Sequence, residues 1–423
     1  MMIEHLRKGD FFSREQLLLI ILATVQLTNV LDFVIMMPLG PQFMRHFEIS
    51  PQAFGLIVSS YTFSAAVFGF LGAFFIDRLD RRLALLVLYA GFTLGTLFCA
   101  VAPTYELLML ARATAGAFGG IMGALVMAIV GDAIAEARRG AATGIIMSSF
   151  SVASIAGVPF GLYLAHLLSW HAPFLMLAAL STVTWLGAFY FLPPMRQHLS
   201  RCTSTSPLDD MRVVLSTPNN WRTFMFMSML MLSGFSVIPF ISPYMVGNVG
   251  LSEADLSYIY LFGGLATFFT SRYVGALSDK YGKKRIFQLV AACSIVPILL
   301  LTSLPKIPLA LALCVTTLFM IFVSGRFVPA VSLITSSIES RYRGSFMSIN
   351  ACVQQLSSGL ASFLAGLVIG KGEGSALTNY WLVGIAASAA TLLCIAFVEW
   401  IKLAEAPIAR MEPKVASLAE SSL

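Results

Sequence analysis

Charge is scarce in this chain. Only 11% of its 423 residues are Asp, Glu, Lys or Arg, and 58% are hydrophobic; a soluble domain carries about 25% charged residues. Histidine is scarcer still, and His5, His46, His166, His171 and His198 are scattered without metal-ligand spacing. Five of the six cysteines, Cys99, Cys293, Cys314, Cys352 and Cys394, fall in apolar runs, and Cys202 stands alone in a polar loop. They read as small hydrophobic filler, not as a disulfide framework. The chain also lacks a glycine-rich phosphate loop and a nucleophile elbow. No enzyme, no metal and no cofactor is therefore expected, and ATP hydrolysis within the chain is not the energy source.

Long apolar runs take the place of charge. Twelve are present, at 17–40, 52–76, 83–104, 107–131, 141–168, 172–193, 223–247, 254–277, 286–304, 308–335, 345–369 and 377–400. A bilayer core of ~30 Å needs ~20 apolar residues per helix, whereas barrel strands need only ~9–11. Helices are the remaining way to satisfy every backbone group in lipid. The expected fold is an all-α integral membrane protein of twelve transmembrane helices. The first run is too long for a signal-peptide core and has no small-residue cleavage site after it.

Lysine and arginine give the orientation. With the N-terminus inside, the inner segments hold 21 of them and the outer segments three, Arg45, Lys306 and Lys371. This bias puts both termini in the cytoplasm. The net charge of +6 is then a topology signal, and nucleic acid is not an expected partner. Arg112, Arg272 and Arg326 remain, inside the helices.

The chain repeats itself. Ile49-Ser50 matches Leu251-Ser252, and Ile57, Asp77, Arg78 and Arg81-Arg82 match Ile259, Asp279, Lys280 and Lys283-Lys284, all 202 residues on. Further along, Arg139-Gly140 matches Arg343-Gly344. The Ser/Thr-rich stretch Ser200–Ser206 lies between the two sets of six runs. The expected organisation is an N-terminal six-helix bundle (1–193), a cytoplasmic linker (194–222), a C-terminal six-helix bundle (223–402) and a cytoplasmic tail (403–423). Parallel halves of this kind place a substrate site at the midplane between them.

These residues resemble the major facilitator superfamily over nearly the whole chain. Its loop signature, Gly-x3-Asp-[Arg/Lys]-x-Gly-[Arg/Lys]-[Arg/Lys], is complete in the second copy: Gly275, Asp279, Lys280, Gly282, Lys283 and Lys284. The first copy keeps Asp77, Arg78, Arg81 and Arg82 but has Ala73 and Asp80 in the two glycine slots. Because Asp tolerates left-handed geometry better than most residues, the same turn is expected there. Leu108-x3-Arg112-x3-Gly116 is similar to the helix 4 motif of proton-coupled members. Gly157-Val158-Pro159-Phe160-Gly161 resembles the helix 5 antiporter motif in shortened form. That helix and Trp170-x3-Phe174 resemble the arabinose-efflux-like permeases among the twelve-span drug:proton antiporters.

One residue breaks the apolar pattern most sharply. Asp32 is the only Asp or Glu well inside any run, and its run also carries Gln26, Thr28 and Asn29. A carboxylate there costs roughly 2.5–3.5 kcal/mol even on the lenient scale, so it marks a functional site. Counted to Gly40, Asp32 lies ~12 Å from the outer end, and Arg112 lies ~8 Å from the same surface. The resemblance implies that helices 1 and 4 adjoin, so the two are expected to pair. The repeat places Gly234 opposite Asp32, and neither Cys314 nor Val315 reproduces Arg112.

The remaining expectations follow from position. Asp132 is expected to meet Arg78 or Arg81 as an inner-gate latch. Helix 5 is expected to bend at Pro159 between Gly157 and Gly161, which allow close helix approach. Gly234, Pro239, Pro243 and Gly247 are expected to interrupt helix 7 beside a cavity. Gln26, Asn29, Asp32, Arg112, Pro239 and the deep Arg326 are the expected cavity residues. Arg326 has no acid in the second half to neutralise it, so an anionic or zwitterionic small molecule is the expected substrate.

The function expected is proton-coupled export of a small organic molecule by alternating access, in a bacterial-type inner membrane, by a monomer. The alternatives are a proton symporter or uniporter importing a nutrient, or a lipid translocase, on the same fold.

Overall fold

The computed structural model describes residues 14–76, 79–196 and 207–403. Its first half comprises α1 (Arg14–Ile35), the short α2 (Gly40–His46), α3 (Pro51–Phe75), α4 (Arg81–Val101), α5 (Tyr105–Ala133), α6 (Glu136–Val152), α7 (Val158–Leu167) and α8 (His171–Phe191). After α9 (Pro207–Ser216) come α10 (Pro218–Phe235), α11 (Ile241–Tyr244), α12 (Asp255–Tyr281), α13 (Lys283–Thr302), α14 (Leu309–Gly325), α15 (Phe327–Ser336), α16 (Arg343–Val368) and α17 (Tyr380–Phe397). A two-residue antiparallel pair, Gly370–Lys371 with Leu377–Thr378, closes the loop before α17.

Among the described residues, eleven helical segments are long and apolar enough to cross a membrane. The twelfth element of the pattern, α12, has 27 residues, which is ~40 Å of helix. It is more polar because it carries Asp255, Arg272, Asp279 and Lys280.

Three boundaries differ from the sequence expectation. The first run is two elements: α1 stops at Ile35, and a turn through Pro38 leads into α2. Asp32 is thus three residues from the end of α1, and the buried turn 36–39 carries the chain onward from there. The stretch expected as a linker contains α9, and α10 starts at Pro218, ahead of 223. The tenth run breaks at Arg326 between α14 and α15. Pro329 accounts for that break: it offers no N–H to the Gly325 carbonyl four residues back.

The two ends of the molecule are packed differently. At the basic end, where the Lys- and Arg-rich loops lie, each half keeps its own core. One is built on Leu22, Leu85, Met122 and Ile129, the other on Val214, Phe226, Phe287 and Phe346, with Phe74 reaching across to it. At the opposite end a single core runs through both halves and includes Ile35, Phe54, Val158, Phe240, Tyr260 and Ile369. The cross-half seam is α3 against α16, and α7 with the π-turn before it against α12. Glycines permit this approach. A Cβ at Gly55 would lie 2.7 Å from the Ser362 carbonyl oxygen, and one at Gly264 2.8 Å from that of Ser154. A polar clamp closes the joined end: Gln42 Nε2 donates to Glu253 Oε2 at 3.0 Å, and Arg45 pairs with the other oxygen of Glu253.

Candidate functional site

The Thr104 side chain caps α5 by accepting from the Leu107 N–H, which starts the helix two turns before Arg112. Arg112 then meets Asp32 of α1. Its Nη1 donates to Asp32 Oδ2 at 2.7 Å and to the Asp32 carbonyl at 3.2 Å. The other carboxylate oxygen accepts from Thr96 Oγ1 of α4 at 3.1 Å. Both members of the pair are completely buried. Such a pair is weak evidence for stability, but removing one partner costs about 3–5 kcal/mol, because the other is left as an uncompensated charge. Protonation of Asp32 would have the same consequence for Arg112, so the pair can act as a switch.

Below the pair, α1 presents a polar stripe toward glycines of α5. Asn29 Nδ2 donates to the Gly119 carbonyl at 3.2 Å, and Asn29 Oδ1 accepts from Tyr61 OH at 3.0 Å. Gln26 is half-buried, and its Oε1 is buried without a hydrogen-bond partner in the protein. Pro239 sits elsewhere, buried in the 3₁₀ turn Ile238–Phe240 that interrupts the seventh span. Its neighbour Phe240 meets Phe54 of the first half at 5.8 Å, inside the joined core. Pro239 therefore lies buried beside the core that joins the two halves. Helix 5 changes pitch at the π-turn Ala153–Gly157, immediately before Pro159. There Gly157 and Gly161 leave room for Leu31 and Ile35 of α1.

Arg326 is 1% exposed and is answered by hydroxyls: Nη1 donates to Ser294 and Thr391, and Nη2 to Ser233, at 2.8–3.2 Å. Its partners lie on α10, α13 and α17, and the last two face away from the seam between the halves. Arg326 is thus held by hydroxyls of the second bundle. Arg272 is exposed at the side of α12, with its guanidinium 4.4 Å from the Phe268 ring centroid. Arg326 is met by neutral hydroxyls and Arg272 by the Phe268 ring, and among the described residues no carboxylate pairs with either.

The family model of the Major Facilitator Superfamily matches residues 22–362 and, again, 223–419. The chain belongs to this superfamily. Among its relatives, the uncharacterized MFS-type transporter YwfA of Bacillus subtilis is 29% identical over 374 residues, covering 85% of this chain and 86% of YwfA. The putative transporter AraJ of Escherichia coli is 26% identical over 242 residues, 56% of this chain and 59% of AraJ. A solved D-xylose-proton symporter superposes with a TM-score of 0.74 at 15% identity, over 91% of this chain and 98% of that one. A bacterial homologue of the lysosomal transporter Spinster, solved in an inward-facing and occupied conformation, gives 0.72 at 15% over 90% and 96%. The chain is thus a multi-pass membrane transporter of the facilitator fold, and its relatives are transporters, not enzymes.

The two copies of the superfamily loop are built differently. In the second, Gly282 has φ +95°, a conformation that favours glycine. Lys283 there reaches the Ser332 carbonyl and Ser336, and Lys284 pairs with Glu399 at 3.8 Å. Gly275 and the exposed Asp279 precede the turn, and Lys280 lies over the Tyr281 ring. In the first copy Asp77 and Arg78 lie outside the described residues. The left-handed turn expected at Asp80 is not formed: φ is −55°, and Asp80 instead caps α4 by accepting from the Arg82 N–H. Burial alone would push the Asp80 carboxyl up. The Met195 N–H, the Arg196 guanidinium and the Arg82 N–H outweigh it and hold the carboxyl below its ordinary range. Arg81 Nε meets Asp132 Oδ2 at 3.1 Å, and both lie in the first bundle.

The sequence did not single out Thr96 or Tyr61. A lone threonine or tyrosine in an apolar run carries no signal, since either packs without a functional role.

Proposed function

We propose that the protein is a proton-coupled exporter of a small organic molecule in a bacterial inner membrane, with its basic end and both termini in the cytoplasm. The observation that carries this reading is the completely buried Asp32–Arg112 pair, at the edge of the core that seals the opposite end. A buried carboxylate with one cationic partner is the simplest element whose protonation changes the balance between two packings. Ligands shift such a balance only through differential affinity, and here the proton is the ligand. With Asp32 charged the pair is closed and the cytoplasmic end is parted, the form that takes up substrate. Protons from outside neutralise Asp32 and release Arg112 once the far end has opened, and the bundles rock back as Asp32 gives up its proton inward. The helix 5 segment Gly157–Gly161 packs directly on α1 at Leu31, beside Asp32, which supports a link between the pair and the seam.

The test uses everted vesicles with an acidic lumen and a fluorescent pH probe. Candidate metabolites and drugs are added from the cytoplasmic face. Antiport predicts that a substrate makes the lumen more alkaline, and that Asp32→Asn abolishes this response while the protein still binds the compound. A substrate that moves inward without proton exit, or one that drives proton exit equally in Asp32→Asn, would contradict the reading.

A further inference from the structure

We infer that Tyr61 is a positioning residue for the coupling pair, its ring face holding the Arg112 cation when Asp32 is neutral. This inference rests on the reading above that Asp32 takes the proton. The Arg112 guanidinium carbon lies 4.5 Å from the Tyr61 ring centroid, within cation–π range. Arg112 Nε has no hydrogen-bond partner in the protein. The guanidinium is thus flanked by the carboxylate and backbone carbonyl of Asp32 on α1, the Cys99 thiol on α4 and the Tyr61 aromatic face on α3. When the carboxylate is neutralised, a buried cation must find another answer, and the ring is already in contact.

The ring is built into this place. At Gly116, one turn after Arg112, a Cβ would fall 2.2 Å from the Tyr61 carbonyl oxygen, and at Gly119 one would fall 2.5 Å from the Tyr61 hydroxyl. Larger residues on this face of α5 would push α3 away and lift the ring off Arg112. The hydroxyl is tied to Asn29 of α1, and Phe33 packs on the ring at 5.3 Å. Phe33 in turn meets Phe235 of the second bundle at 5.9 Å. A shift of the cation toward the ring would therefore be felt at a contact between the halves. The titratable and charged groups around Asp32 are Arg112 from α5, Tyr61 from α3 and Cys99 from α4. Thr96 adds a neutral hydrogen bond.

The ring stabilises Arg112 most when the carboxylate no longer does, so losing it makes protonation of Asp32 harder. The test is an infrared pH titration of the carboxylic C=O band in lipid vesicles without substrate, the Asp32 band being the one lost in Asp32→Asn. Tyr61→Phe keeps the face and should titrate with the wild type. Tyr61→Leu should need about one pH unit more acid. Ring-fluorinated phenylalanines at position 61 keep the shape and drain the face, so they should shift the band stepwise toward acid even if the leucine variant fails to fold. A band that titrates identically in Tyr61→Leu and in the fluorinated series overturns the role of Tyr61 alone. Absence of any Asp32 band across the pH range overturns the proton reading, and this inference with it.

Discussion

Arg112 and Arg326 are the two largest fully buried side chains among the described residues, one in each bundle, and they meet opposite chemistry. Arg112 faces a carboxylate, Arg326 three hydroxyls. The 202-residue repeat places Gly234 where the first half has Asp32. A Cβ at Gly234 would lie 4.0 Å from Arg326 Nη2, so the second cation points toward a slot from which the acid is missing. The difference separates two uses of a buried charge. Hydroxyls do not titrate near neutrality, so the second bundle's arginine is fixed in place. The first bundle's arginine has a partner that a proton can remove.

This comparison predicts unequal costs. Arg112→Leu strands a buried carboxylate and should destabilise by about 3–5 kcal/mol. Arg326→Leu leaves hydroxyls that already bond each other and nearby carbonyls, Ser233 with Thr391 at 2.7 Å among them. Its cost should be nearer 1–2 kcal/mol. Unfolding midpoints in detergent check this, and equal losses would erase the distinction.

A sharper form is to supply the missing acid. The nearest neighbours of a Cβ at Gly234 are 3.8–4.0 Å away, ordinary contact, so Gly234→Asp should fold and pair with Arg326. A second titrating carboxyl band should then appear in the infrared spectrum. A variant that folds without one would show that the slot is not equivalent.

At the joined end, Glu253→Gln removes a surface ion pair across the halves, worth about 1 kcal/mol or less. It should raise the accessibility of a cysteine placed near the seam from that side. Unchanged accessibility would leave Arg45–Glu253 as decoration.

The smallest effect is at Asp80. Its folded carboxyl is held below the ordinary range, so its contribution is complete above about pH 4 and is lost as pH falls through the folded value. Asp80→Asn retains a capping side chain and should lose only a few tenths of a kcal/mol at pH 7. It should also flatten the acid limb of the stability curve. An unaltered acid limb would assign that limb to other carboxylates.

Much of the fold was legible because a bilayer leaves few options. Twelve runs, the charge bias and the 202-residue repeat each constrain whole helices. Asp32 was legible because nothing else acidic lies inside a run, and Arg112 because its depth matched. The shell of Arg326 was not, since Ser233, Ser294 and Thr391 look like any helix hydroxyls bonding to their own backbone. The turn at Asp80 was misread because a capping carboxylate competes with the left-handed geometry that glycine would have taken. The break after Ile35 was hidden inside one unbroken apolar run.

The central claim is that a proton on Asp32 biases which end of the molecule is parted, and one measurement addresses it without knowing the substrate. Spin labels at Ala141 and Arg341, both exposed near the basic end, report the separation of the two halves in lipid nanodiscs. The wild-type distance distribution should shift between two populations as the pH is lowered. In Asp32→Asn it should be independent of pH, and in Arg326→Leu it should still respond. A pH response that survives intact in Asp32→Asn would contradict the account.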